Sequence, residues 1–239
     1  FAYRPVSSIL PRVDASHIDP WEEQDPDHPH NWRLVAGYRT TLDELIEALH
    51  GRGMRLLLDW VPNHTSDQHA WFQRARRAPA GSPERDFYVW NDTDDKFADA
   101  RIIFVDTEVS NWTFDPVRKQ YFWHRFFSHQ PDLNFDNPAV REAMMEALRF
   151  WLDRGVDGFR ADVVNLIGKG TDVDDLPEQL ASVALLATDR PFGHELLRRI
   201  RTLLDGYEQA PMMVGEVYLL DDGQSASYLG DPVSGKHEL

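Results

Sequence analysis

Three acidic side chains and one arginine stand at corresponding points of three apolar segments. MRLLLDWVPNH (54–64) carries Asp59, with Asn63 and His64 close behind; VDGFRADVV (156–164) carries Arg160 and Asp162; MMVGEVYLL (212–220) carries Glu216. An arginine beside a carboxylate favours its ionised form, and an ionised carboxylate can attack or stabilise a cationic centre. Asp162 meets that condition, because residues two apart in a strand share a face and Arg160 is its neighbour there. Glu216 has apolar flanks, so the expectation for it is a desolvated acid with a proton available. Two carboxyls made to differ in this way suit cleavage of a glycosidic bond, one as nucleophile and the other as general acid and base. Taken singly, each residue also has an ordinary explanation, as a helix cap or a structural ion pair. Their recurrence at the same place in successive units favours a shared site.

The elements that must position them follow one rhythm. TTLDELIEALHGRG has a Thr cap, apolar residues at Leu42, Leu45, Ile46 and Leu49, and Gly51 or Gly53 as a stop, which predicts a helix. REAMMEALRFWLDRG and GHELLRRIRTLLDGY are helices of the same kind. Each leads through a short turn into a nearly continuous apolar run, the mark of a strand buried on both faces. Helix, turn, buried strand and a polar cluster at the strand's end, three times over, predict an α/β fold with a parallel sheet. In such a sheet the C-terminal strand ends gather at one face, where ligands are held.

Residues 66–130 break the rhythm. They carry Trp71, Trp90, Trp112 and Trp123 among Pro, Asp and Asn, and predict an irregular, β-containing excursion. Tyr121, Trp123 and Phe127 would share one strand face and Phe122 and Phe126 the other; packing of the excursion's own core is preferred over stacking on a sugar. His124 and His129 receive no role. Residues 1–36, rich in Pro, His and Asp, read as loop, and His28 and His30 with Asp25 and Asp27 read as part of it rather than as a metal cluster.

Composition narrows the partners. A formal net charge of -15, with 40 acidic residues against 25 basic ones and no long basic run, speaks against nucleic acid and anionic membrane. No cysteine is present, which excludes disulfides and thiolate chemistry and agrees with a reducing, cytoplasmic location. No apolar run reaches the roughly 20 residues of a membrane span. Three Asn-X-Thr triplets, at Asn63, Asn91 and Asn111, are read as chance.

DWVPNH (59–64), QPDLN (130–134), GFRAD (158–162) and GEV (215–217), in this order, resemble the successive signature regions of the α-amylase superfamily, glycoside hydrolase family 13. The resemblance runs from about residue 37 to 239. It implies part of a (β/α)8 TIM barrel, about strands three to five, with residues 37–65 and 131–239 as barrel and 66–130 as the inserted B domain. It also implies Asp162 as nucleophile, Glu216 as proton donor, Arg160 orienting the nucleophile, and Asp59 and His64 contacting the sugar. Asn63 corresponds to a position that binds calcium in many members, a weak candidate, since other members lack that site; no other cofactor is implied.

QPDLN with NHTSDQHAWF resembles the oligo-1,6-glucosidase and α-glucosidase branch, and Val163 after the nucleophile leans towards α-1,6 bonds. The stretch from Asp99 to Val140 resembles trehalose synthase more. Weighting the residues around the catalytic positions gives a retaining α-glucosidase acting on short oligosaccharides, with trehalose synthase as the alternative and an inactive fragment or non-catalytic binding subunit as a third reading. The family's third catalytic aspartate and its Gly-Tyr-Asp segment find no counterpart, since Gly37-Tyr38 is followed by Arg39. A central piece of a longer enzyme, itself with little or no activity, is the expectation.

Overall fold

The computed structural model describes residues 42–98, 100–167 and 191–217, together with Ala226, Tyr228 and Leu229. The His28 and His30 loop and the rest of the first 41 residues lie outside them. Helix α1 (Leu42–His50) is followed by strand β1 (Leu57–Trp60), helix α3 (Pro138–Asp153) by β5 (Gly158–Ala161), and α4 (Pro191–Asp205) by β6 (Met212–Gly215). Between β1 and α3 lie the short helix α2 (Ala70–Ala75) and strands β2 (Trp90–Asn91), β3 (Trp112–Asp115) and β4 (Gln120–Trp123).

β1, β5 and β6 form a parallel sheet in the order β1-β5-β6, with Asp59, Arg160 and Val214 side by side and Trp60, Ala161 and Gly215 in the next row. Helices feed each strand from the same end, so all three C-terminal ends point one way, as in a (β/α)8 barrel. β2, β4 and β3 form a separate antiparallel sheet within the excursion.

Local chemistry explains the helix ends. The Asn137 side chain accepts a hydrogen bond from Ala139 N–H at 3.0 Å, and Pro138 occupies the first turn, where its missing N–H costs nothing. At the other end Gly155, at φ +93°, reverses the chain towards β5, and Val156 N–H bonds back to Trp151 O at 3.2 Å. Asp157 then secures the base of the sheet: its carboxylate accepts Leu56 N–H at 2.8 Å and lies 2.7 Å from His50 Nε2, tying α1, β1 and β5 together.

One face of the parallel sheet is packed. Phe159, Ala161 and Met213 are buried with Leu148 and Leu152 of α3 and Leu196, Leu197, Ile200 and Leu204 of α4. The opposite face corrects the expectation of strands buried on both sides, since Leu57, Met212 and Val214 are 41%, 47% and 46% exposed. Among the described residues no second layer covers that face. The described residues thus bury the apolar runs on one side of the sheet.

The excursion is closed at its base. Thr65 N–H bonds Pro131 O at 3.2 Å, Asp67 N–H bonds His129 O at 2.9 Å, and Leu133 N–H bonds Asn63 O at 2.9 Å. Its rings Phe72, Tyr88 and Phe122 join the main core, while Trp112, Trp123 and Ala100 form a second, smaller one. Arg118 ties the excursion's own segments together: buried, it donates to the carbonyls of Ala75 and Arg85, and its guanidinium lies 4.2 Å from the Trp90 ring centroid. Desolvation lowers its pKa to about 10.

Candidate active site

The predicted residues fall into two groups. In the first, Arg160 Nη1 donates to Asp59 Oδ1 at 2.8 Å and to Asp162 Oδ1 at 2.5 Å, and Nη2 donates to Glu216 Oε2 at 2.5 Å. One planar guanidinium thus holds carboxylates from the ends of all three parallel strands. A rigid fork of donors suits this geometry, which an ammonium point charge could not reproduce. The hydrogen bond to Asp59, aided by the charge of Asp162, raises the guanidinium pKa above its already high ordinary value, so the cation is permanent.

Backbone bonds fix the two key carboxylates just past the ends of their strands. Asp162 N–H bonds Trp60 O at 2.9 Å, Glu216 N–H bonds Ala161 O at 2.8 Å, and Val164 N–H bonds Glu216 O at 3.0 Å. Val163 then turns at φ 38°, ψ 49°, a left-handed conformation uncommon for a β-branched residue. Such strain persists only where surroundings over-determine it, and here it separates Asp162, at the sheet's edge, from the buried 3-10 turn Val164–Leu166.

Glu216 departs from the sequence-based expectation. Its side chain is 40% exposed and bonded to Arg160, not desolvated among apolar neighbours. The apolar residues flanking it alternate across the strand line, and those that share its side of the sheet lie on the open face.

His64 and Asn63 belong to the second group. Asn63 Nδ2 donates to Asp132 Oδ1 at 3.1 Å and lies 3.2 Å from His64 Nδ1, while the His64 backbone pairs with Asp132 in an antiparallel bridge. Asp132 Oδ1 also accepts Arg125 N–H at 3.0 Å. Asn63, Arg125 and Asp132 are all buried. Burial pushes the Arg125 guanidinium pKa down and the Asp132 carboxylate pulls it back. Asp132 and Arg125 were not singled out from the sequence, and the only signal was the position of Asp132 inside QPDLN.

Calcium takes six to eight oxygen ligands; in this group Asn63 and Asp132 carry side-chain oxygens, and Asp132 Oδ1 is already met by two N–H donors. Among the described residues no three His, Asp or Glu side chains gather as a metal-binding set. Removing Asp132 would take a counter-charge away from the buried Arg125. Asp132→Ala is expected to lower stability by about 3 kcal/mol, read as a lower thermal midpoint; an unchanged midpoint would show that the network holds nothing.

The excursion's rings also differ from expectation. β4 ends at Trp123, so Phe126 and Phe127 do not continue its alternation. Phe126 lies against His64 with centroids 5.1 Å apart, and Phe127 stacks on Phe104.

Three parallel strands, fed by helices and carrying an arginine and three carboxylates at their C-terminal ends, define part of a (β/α)8 barrel with an acidic active-site face. The sequence profile of the alpha amylase catalytic domain matches residues 36–238, and the chain belongs to that family, glycoside hydrolase family 13. It is 52% identical over 200 residues to the trehalose synthase/amylase TreS of Mycolicibacterium smegmatis, covering 81% of this chain and 30% of that protein. It is 36% identical over 205 residues to the oligo-1,6-glucosidase of Parageobacillus thermoglucosidasius, covering 76% and 34%. A solved variant of the trehalulose synthase MutB superposes with a TM-score of 0.71 at 35% identity, covering 83% of this chain and 35% of that one. The chain spans about a third of the length of the curated relatives it matches.

Proposed function

We propose that this chain supplies the nucleophile and the proton donor of a longer enzyme that cleaves α-glucosidic bonds of short oligosaccharides with retention. The observation that carries the reading is the single guanidinium of Arg160 touching both Asp162 and Glu216. That contact keeps the two carboxyl groups within one fork's reach, the scale on which retaining enzymes set theirs, about 5 to 5.5 Å.

The chemistry follows from the groups. An oxygen of Asp162 attacks C1 of the terminal glucose while Glu216 gives its proton to the departing oxygen, and the C1–oxygen bond breaks. Arg160 donates to Asp162 and keeps its carboxylate aimed until the new bond forms. In the second half an acceptor hydroxyl gives its proton to Glu216, its oxygen bonds to C1, and Asp162 leaves as carboxylate. Asp59 and His64 hold the glucose at the cleavage point. No metal takes part in these steps. The reading carries with it a small oligosaccharide as substrate and a cytoplasmic location; among the described residues no helix is long and apolar enough to cross a membrane.

When water is the acceptor, the enzyme is an α-glucosidase. When the released glucose is the acceptor through its anomeric hydroxyl, maltose becomes trehalose. The 52% identity to a trehalose synthase, against 36% to an oligo-1,6-glucosidase, favours this second reading. The test is to give the full-length protein maltose, isomaltose and sucrose and to identify each product and its anomeric form by NMR. Retained configuration in glucose or trehalose is expected; inverted product, or no cleavage of any α-glucoside, would sink the reading.

A further inference from the structure

We infer that Val163 is a positioning residue whose backbone, rather than its side chain, sets the spacing of Asp162 and Glu216. This role presupposes the proposed reading and concerns how the two carboxyl groups of one retaining site are kept apart. The hydrogen bonds that join β5 to β6 reveal it.

Along these strands the ladder is regular at first. Met212 N–H bonds Asp157 O at 3.0 Å, Arg160 stands beside Val214, and Ala161 stands beside Gly215. Glu216 N–H then bonds Ala161 O at 2.8 Å, which places Asp162 beside Glu216. In an unbroken parallel ladder the Glu216 carbonyl would next accept the N–H of Val163. It accepts the N–H of Val164 instead, at 3.0 Å. One extra residue has entered, so Asp162 and Val163 together face the single residue Glu216. This is a β-bulge, rare in parallel pairs and over-represented next to active sites, where it re-aims a side chain.

The conformation of Val163 agrees with that place. At φ 38° and ψ 49° it is left-handed, which glycine accepts freely and a β-branched residue resists. Both flanks are fixed. Asp162 N–H bonds Trp60 O at 2.9 Å, while on the far side Val164, Asn165 and Leu166 are buried and Leu166 N–H bonds Val163 O at 2.8 Å. Between these anchors Val163 has to take up the extra length. A bulge increases the local twist, so the side chains of Asp162 and Glu216 splay where an unbroken ladder would hold them abreast. Into that gap the C1 of the glucose and its departing oxygen must fit, with the carboxyl groups about 5 to 5.5 Å apart. Whatever linkage preference the Val163 side chain confers, the spacing comes from its backbone.

The test uses the full-length protein on maltose, with kcat, KM and thermal midpoint read for each variant. Val163→Gly keeps the left-handed backbone without its penalty, so its midpoint should equal or exceed the parent's and its kcat should stay within about tenfold. Val163→Pro fixes φ at about −65° and so forbids the bulge conformation, and deletion of Val163 restores the unbroken ladder. Each of these two is expected to lower kcat about a hundredfold below the glycine variant, with KM within about threefold of the parent's, because a spacing error acts on the reacting atoms and not on sugar binding. A role in stability alone would move the midpoint and leave kcat per folded molecule unchanged. A folded Val163→Pro or deletion variant with kcat within about tenfold of Val163→Gly overturns the inference. Should neither fold, Val163→Gly decides: a kcat more than about tenfold below the parent's shows that the side chain is what counts and overturns it, and a kcat inside that range upholds it. Failure of the catalytic reading shows in the parent itself, which would cleave no α-glucoside with retention, whereas failure of this role shows only in the variants.

Discussion

Asp162→Asn in the full-length protein is expected to lower kcat on the order of 10^4-fold or more, with maltose still bound. The amide keeps nearly the shape of the carboxylate and can still accept a bond from Arg160, but it has no charge with which to form the glucosyl-enzyme. Fold and mechanism are separable at this position. The Arg160–Asp162 pair is only partly buried, with side-chain exposures of 41% and 20%, and exposed pairs of this kind contribute at most about 1 kcal/mol. The thermal midpoint should therefore move little while activity vanishes. Residual activity within tenfold of the parent would remove Asp162 from the nucleophile's role.

Gly158→Ala has the largest expected effect on the fold. Gly158 sits at φ +150°, and a Cβ built there would lie 1.9 Å from Met212 O and 2.8 Å from Leu57 Cδ2. Met212 O is backbone of the neighbouring strand and cannot step aside as a side-chain tip can. To admit the methyl, β6 must separate from β5, and with it goes the register that pairs Arg160 with Val214 and brings Glu216 within reach of the Arg160 guanidinium. A loss of more than about 4 kcal/mol is expected, seen as failure to recover folded protein or as a collapsed melting transition. Gly155→Ala provides the contrast: φ is +93° but the nearest atom is Ile46 Cγ2 at 3.5 Å, so only the left-handed backbone is penalised, by about 1 to 2 kcal/mol. Equal midpoints for the two variants would contradict the close-approach account.

The sequence made the helices legible because their apolar residues recur with helical spacing, and the strands because they are short apolar runs between glycine turns. Asp59, Arg160, Asp162 and Glu216 were legible for a different reason, since the same strand end carries a charge in each unit. Contacts between distant segments were not. Asn63 and Asp132 are 69 residues apart, and nothing in local spacing says that one amide will meet one carboxylate in a buried pocket. That the described residues cover only one face of the parallel sheet was not legible, because an apolar run reports what a strand can bury, while burial depends on which layers lie beside it.

The closed base of the excursion has a consequence for how such chains diverge. Because residues 63–67 are zipped to residues 129–133, the segment leaves the sheet and returns at nearly the same point. Lengthening a loop whose ends already meet adds little entropy cost, since that cost grows only with the logarithm of length. Descent can therefore trim, extend or exchange this cassette while the three parallel strands and the carboxylates at their ends are inherited unaltered.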